Sequence, residues 1–167
     1  GPYPAIIRHF IEKSVDPNAI LPTHRYTNGG TRNTALAIAA AEGNLSICEL
    51  LLKSGAKADG KGFFNPLPDA VYHGRAAIVE LLLKHGADPE DMSLALEDPV
   101  APFVGGALSI AIERGHLKIA EQLLNAGVNV NLAHPKTGLT PLHFALVKGQ
   151  VELARKLLEK GANPDAE

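Results

Sequence analysis

The sequence of 167 residues predicts an all-α solenoid, in which antiparallel helix pairs stack and are joined by hairpin-like loops. The main observation is a pair of glycines, 12 residues apart, that recurs four times along the chain. The pairs are Gly43 with Gly55, Gly74 with Gly86, Gly115 with Gly127, and Gly149 with Gly161. Successive copies lie 31, 41 and 34 residues apart. Such fixed spacing inside a repeated unit is typical of a solenoid, because one small unit cannot bury its apolar face alone.

The segment before the first glycine of each copy is predicted to form a short helix. Thr34 and Thr140 suit its N-cap, because a hydroxyl accepts an N–H of the first turn, and Pro66 and Pro141 suit the first helical position. The first glycine is expected to end this helix in the left-handed conformation. Apolar residues spaced i, i+3, i+4 predict its buried face, and they are Leu36, Ala39, Ala40, Leu142, Ala145 and Leu146.

The leucine-rich segment between the two glycines is predicted to form a second helix that packs behind the first. In the first full copy its predicted buried residues are Leu45, Ile47, Cys48, Leu51 and Leu52. In the third copy they are Leu117, Ile119, Ala120, Leu123 and Leu124. A partial copy opens the chain, where Phe10 to Asn18 aligns with Leu157 to Asp165.

Composition excludes several classes of function. With 16 Lys and Arg against 18 Asp and Glu, the formal net charge is −2, which lacks the basic balance typical of nucleic-acid binding. The apolar stretches are far shorter than the about 20 residues that cross a bilayer. The single cysteine, Cys48, excludes an internal disulfide and any CxxC site. We therefore expect no nucleic-acid partner, no membrane insertion, no metal and no cofactor. We expect an intracellular protein, cytoplasmic or nuclear, that is monomeric in isolation.

The last copy, Thr137 to Asp165, resembles an ankyrin repeat. It has a TPLH motif, a turn glycine, a leucine pair and a closing Gly-Ala-Asn. The third copy is similar, although only the last keeps the full TPLH and the second has Pro68 in the histidine position. The resemblance implies an ankyrin-repeat solenoid over 1–167, which we expect to be a fragment of a larger protein, with Gly1-Pro2 typical of a cloning scar. Its predicted parts are a partial repeat at 4–33 and repeats at about 34–64, 65–105, 106–139 and 140–167.

The resemblance also implies a function, namely a non-catalytic module that binds a partner protein or extended peptide. The family uses its concave groove and its loop tips for binding. The alternative is a structural spacer or scaffold segment of a larger protein, which could itself be an enzyme.

Helical register predicts which side chains of the first helices lie opposite the buried face. These are Ile38, Ala41, Glu42, Asp69, Tyr72, His73, Ile110, Glu113, Arg114, Phe144, Val147 and Lys148. Aromatic and arginine side chains dominate binding energetics, so Tyr72 and Arg114 are the strongest candidates. The partner-binding set on the helices is Asp69, Tyr72, His73, Glu113, Arg114, Phe144 and Lys148. The alternative is that all of them are solvated helix residues without a partner.

Two connectors are longer than the others and are predicted to clamp a partner segment. The first, Ala19 to Asn33, carries His24, Arg25, Tyr26 and Arg32, whereas the second, Glu90 to Gly105, carries Glu90, Asp91, Glu97 and Asp98. The candidate binding residues in the connectors are Tyr26, Arg32, Phe64 and Phe103. A second hypothesis is that Tyr26, Phe63, Tyr72 and Phe103 line an aromatic cage for a cationic ligand. The alternative is that these are inert loops, because closure entropy grows slowly with loop length.

The sequence does not predict an enzyme. Its seven histidines are scattered, with no HxxxH pair. Asp69 and His73 lie at i, i+4 and could suggest a catalytic dyad, but no serine or cysteine lies near them in the repeat register. An acid–histidine pair at this spacing is more often a surface hydrogen bond.

Overall fold

A computed structural model describes residues 16–22, 32–59, 65–90, 106–134 and 137–166, and these ranges carry every structural statement below. The chain forms two compact units, Gly1–Ala87 and Asp88–Glu167. Of the predicted binding residues, Tyr26, Phe64 and Phe103 lie outside the described ranges. The same is true of Phe63 and of most of the two long connectors.

The first unit contains a small β ribbon followed by two helix pairs. Strands β1 (Ile20–Pro22) and β2 (Arg32–Thr34) are antiparallel, with Leu21 opposite Asn33. They join the two ends of the first long connector. The helices that follow are α1 (Ala35–Glu42), α2 (Leu45–Lys53), α3 (Pro66–Tyr72) and α4 (Ala76–Lys84). Helix α3 packs on both α1 and α4.

The second unit contains two more helix pairs. They are α5 (Gly106–Glu113) with α6 (Leu117–Asn125), and α7 (Pro141–Val147) with α8 (Val151–Glu159). Helix α7 packs on both α5 and α8. Each unit is thus built from short antiparallel helix pairs, which confirms the predicted all-α repeat class.

The helix ends follow the predicted pattern. The Thr34 hydroxyl oxygen accepts the N–H of Ala37 at 3.2 Å, and the Thr140 N–H donates to Nδ1 of His143 at 3.1 Å. Pro66 and Pro141 each begin their helix. All eight paired glycines have φ between 65° and 91°, a region that other residues enter only with strain. The repeat spacing therefore reflects a backbone requirement at both turns.

Most of the predicted core is buried, but the prediction of burial is wrong for three leucines. Leu45 and Leu117 are partly exposed, because each is the first residue of its helix, directly after the turn and at the edge of the pair. Leu146 is 62% exposed, whereas Ile112, at the same position of the preceding copy, is fully buried. Helix α7 packs on α5 through its other face, so nothing in the described residues covers Leu146.

Successive repeats are joined at the hairpin turns by one recurring contact. The side-chain oxygen of the residue four positions after the second glycine, or after Ser14 in the partial copy, accepts a main-chain N–H further along the chain. Asn18 accepts from Lys57 at 2.9 Å, Asn131 accepts from Asn163 at 2.7 Å, and Glu90 accepts from Asn129. Asn18 thus makes in the first unit the contact that Asn131 makes in the second.

A second contact joins repeats near the turn glycine. The residue directly after the first glycine reaches back to a carbonyl of the preceding repeat. Gln150 Nε2 donates to the Ile112 carbonyl at 3.1 Å, and Arg75 Nε donates to the Ala41 carbonyl at 3.4 Å. On the second helices, Lys156 also pairs with Glu121. The junction between the last two repeats is therefore fixed by polar contacts at several points along its length.

Candidate partner-binding surface

Three of the predicted binding residues of the first unit lie on one side of α3. This helix turns Leu67, Ala70 and Val71 inward, and all three are fully buried. Helical periodicity then leaves Asp69 and Tyr72 on the other side, and His73 follows as the C-cap. Tyr72 is 37% exposed, His73 is exposed and Asp69 is half-buried. Tyr72 and His73 are exposed to solvent, as the helical register predicts. Asp69 is more buried than that prediction implies.

His73 is fixed by its own helix. Its Nδ1 lies 2.9 Å from the main-chain carbonyl oxygen of Asp69. A carbonyl can only accept, so Nδ1 carries the hydrogen and Nε2 is left as the outer ring nitrogen. The Tyr72 and His73 rings meet edge to face, with centroids 5.2 Å apart, a favourable arrangement for aromatic rings. The contact of His73 is with the backbone of Asp69 and not with its carboxylate, which gives no support to a catalytic dyad.

Burial changes the acidity of Asp69. Desolvation raises the pKa of its carboxyl group from 3.8 to about 6, while the nearby His73 acts in the opposite direction and is the weaker influence. A carboxyl group with a pKa near neutrality is unusual for a surface helix and is more frequent at functional sites. The carboxyl group of Asp69 therefore changes charge near pH 6.

In the second unit, the prediction holds for the end of α5 but not for its middle. Arg114 is exposed directly after the helix, and Glu113 is half-buried. Ile110 was predicted on the open side, yet it is only 5% exposed. The reason is that α5 is apolar on every side from Ala107 to Ile112, apart from Ser109, and a helix of that kind is buried all round.

Helix α7, the first helix of the last repeat, ends in two exposed residues. Val147 is exposed and Lys148, the C-cap, is exposed beside it, whereas Phe144 is half-buried. Arg32 lies in β2, where its backbone is opposite Pro22. Glu90, predicted as part of an acidic loop, instead accepts the N–H of Asn129. Both residues belong to the second unit.

Several exposed apolar side chains on the last repeat were not predicted. They include Leu146, Val151 and Leu158. The equivalent positions Ile112 and Leu124 of the third copy are buried, whereas Leu117 is partly exposed. The sequence pattern could not distinguish these copies, because the same apolar spacing appears in each.

Within the described ranges, no group of histidine, cysteine, aspartate and glutamate residues is arranged to hold a metal ion. None of the helices in those ranges is long and apolar enough to span a bilayer. Cys48 is fully buried on α2, and burial raises the pKa of its thiol to about 12. A thiol with so high a pKa is a poor nucleophile.

Comparison with known proteins identifies the family of these repeats. The family model described as "Ankyrin repeats (3 copies)" matches residues 2–93 and 99–167. The chain is 35% identical over 136 residues to the ankyrin repeat and KH domain-containing protein mask-1 of Caenorhabditis elegans, covering 80% of this chain and 5% of that protein.

Two further relatives show the same relationship. The human ankyrin repeat and SOCS box protein 3 is 34% identical over 170 residues, covering 80% of this chain and 32% of the relative. The palmitoyltransferase AKR1 of Lachancea kluyveri is 32% identical over 162 residues, covering 95% of this chain and 20% of that protein. The chain thus spans a third or less of the length of these relatives. It belongs to the ankyrin-repeat family, whose members generally mediate protein–protein interaction and are typically non-catalytic.

Proposed function

We propose that this chain is a non-catalytic module that binds a partner protein through the exposed ends of its first helices. The observation that carries the proposal is the repetition of exposed, interaction-prone side chains just before the turn glycine. They are Tyr72 and His73 before Gly74, Arg114 before Gly115, and Val147 and Lys148 before Gly149. Tyrosine and arginine are enriched among residues that dominate binding energy.

The chemistry of the described residues supports a binding role over a catalytic one. His73 is tied to a main-chain carbonyl, and Cys48 is buried with a raised pKa. Neither side chain is placed to act as a base and nucleophile pair, which covalent catalysis would need.

The alternative function is a spacer or scaffold segment. Its support is that the names of two relatives combine ankyrin repeats with another module, a KH domain in one and a SOCS box in the other. In a spacer, the repeats would position neighbouring domains and the exposed helix ends would contribute little.

An affinity capture experiment tests the proposal. The wild-type chain is compared with a Tyr72→Ala, Arg114→Ala double variant, and each captured protein is then purified and its Kd measured. A matched control carries Glu49→Ala and Lys118→Ala, which change two exposed residues of the second helices. Binding that is lost in the first variant but kept in the control supports the proposal. Equal affinity for all three chains contradicts it and favours the spacer.

A further inference from the structure

The carboxylate of Asp69 is shielded from water but has no hydrogen-bond partner among the described residues. Its main-chain carbonyl accepts from His73, but no donor reaches the side-chain oxygens. Shielding a carboxylate is costly unless a donor or a cation compensates it. The side chain is nevertheless not sealed in the core, because it keeps part of its accessible surface.

The elements packed against α3 do not supply a cation for this carboxylate. Helix α1 contributes Glu42, and α4 contributes Glu80 and Lys84, which pair with each other at 2.7 Å. Arg75, between α3 and α4, directs its Nε to the Ala41 carbonyl. Besides burial, only His73 influences the charge of Asp69. Within the described part of the unit, His73 thus offsets the negative charge of Asp69 only in part.

Aromatic groups lie on the same side of the helix. Tyr72 and His73 follow Asp69 at i+3 and i+4, which places them next to it on the helix surface. A carboxylate beside an aromatic ring suits a lysine or arginine side chain, which can form an ion pair with the first and a cation–π contact with the second.

We propose that Asp69, together with Tyr72 and His73, binds a basic side chain of the partner protein. The inference rests on the proposed binding function and specifies the chemistry of the partner at α3. Its proton linkage follows from the pKa of Asp69, which is about 6 in the unbound chain. A cation binds the ionised carboxylate, so it lowers the pKa of that group. If only the ionised form binds, affinity rises about tenfold between roughly pH 5 and pH 7.

A peptide titration tests the site without a known partner. The probe is acetyl-Gly-Arg-Gly-amide, and its control is the same peptide with citrulline, which has nearly the same shape but no charge. Binding to the whole chain is followed through the carboxyl carbon resonance of Asp69, as a function of pH and peptide concentration. The expected result is that the arginine peptide lowers the pKa of Asp69 and that the citrulline peptide leaves it unchanged.

Variants assign the effect to individual side chains. Asp69→Asn is expected to weaken binding of the arginine peptide at neutral pH and to remove its pH dependence. Glu80→Gln, which changes an exposed carboxylate one helix away, is the matched control and should bind as wild type does. A histidine can also change charge in this pH range, so His73→Gln is measured as well. It is expected to keep the pH dependence.

Three outcomes would overturn the inference: equal binding of the two peptides, unchanged binding by Asp69→Asn, or a pH dependence that disappears in His73→Gln. These outcomes are separate from the test of the proposed function. A captured partner that binds Asp69→Asn and wild type equally would keep the chain a protein-binding module and remove this site from it.

Discussion

Asn131 and Asn163 occupy successive hairpin turns, and the Asn131 Oδ1 accepts the main-chain N–H of Asn163 at 2.7 Å. The same side chain donates from Nδ2 to the Gly161 carbonyl at 3.0 Å. One amide thus satisfies a donor and an acceptor of the neighbouring repeat. Asn18 does the same for Lys57 and Gly55 in the first unit, so the contact is a property of the repeat.

Removing this amide is expected to weaken the junction between the last two repeats. Asn131→Ala should lower the free energy of unfolding by about 1 kcal/mol, because two partly solvated hydrogen bonds are lost. Asn131→Asp keeps the acceptor and loses the donor. Its free energy of unfolding should therefore lie between the values of wild type and Asn131→Ala. Urea unfolding followed by circular dichroism measures the effect, with the exposed Lys118→Ala as control. An unchanged midpoint for Asn131→Ala would show that the contact does not stabilise the junction.

The positions of Ile112 and Leu146 are equivalent in sequence but not in burial. Ile112→Ala should cost about 2–4 kcal/mol, since it leaves a cavity between packed helices. Leu146→Ala should change stability by less than about 0.5 kcal/mol, because that side chain is mostly exposed. Thermal or urea unfolding of the two variants, measured side by side, compares their losses of stability. Similar losses for both would mean that Leu146 is covered in solution.

Asp69 should make stability depend on pH in a defined direction. Its pKa in the folded chain, about 6, lies above the usual 3.8, so the folded state holds the proton more tightly than the unfolded state. The free energy of unfolding therefore falls as pH rises from about 4 to about 6, and it stays at the lower value at higher pH, where Asp69 is ionised. Asp69→Asn should be more stable than wild type by about 1–3 kcal/mol at neutral pH, and by less near pH 4. The comparison uses urea unfolding of both chains at each pH. A gap that does not vary with pH would contradict the raised pKa.

The thiol of Cys48 should be protected from modification while the chain is folded. It is fully buried and its pKa is raised to about 12, so almost none of it is thiolate at neutral pH. Labelling with a disulfide reagent should therefore be slow in the native chain, because it requires opening of the fold, and become fast in denaturant. Rapid stoichiometric labelling of the native chain would show that α2 opens readily.

Two hydroxyl groups should respond in opposite directions to removal. The Ser109 hydroxyl is buried and has no hydrogen-bond partner within the described residues, so Ser109→Ala should raise stability by about 1 kcal/mol. The Thr34 hydroxyl accepts the N–H of Ala37, so Thr34→Ala should lower stability by about 1 kcal/mol. Their unfolding midpoints, measured under one set of conditions, provide the check. A loss in both variants would indicate that Ser109 has a partner in solution.

The sequence was sufficient to predict the parts of the fold that depend on local chemistry. Turn glycines, N-cap threonines and N-terminal prolines act within a few residues, and each was located correctly. Ile110 was predicted on the open side of its helix and Leu146 on the buried side, and both predictions were wrong, because burial there depends on which element covers the helix from outside its own repeat. The raised pKa of Asp69 was missed for the same reason, since desolvation is a property of the packed unit. The candidate residues of the long connectors remain predictions.

Two of the contacts that join the last repeats lie at opposite ends of the helices. Asn131 joins them at the hairpin turn, and Gln150 joins them near the turn glycine through the Ile112 carbonyl. Because these contacts are separated along the length of the helices, one repeat cannot rotate against the other without breaking at least one of them. Repeats three and four are therefore expected to resist torsion as one rigid body, so that a load applied to one of them is transmitted directly to the other.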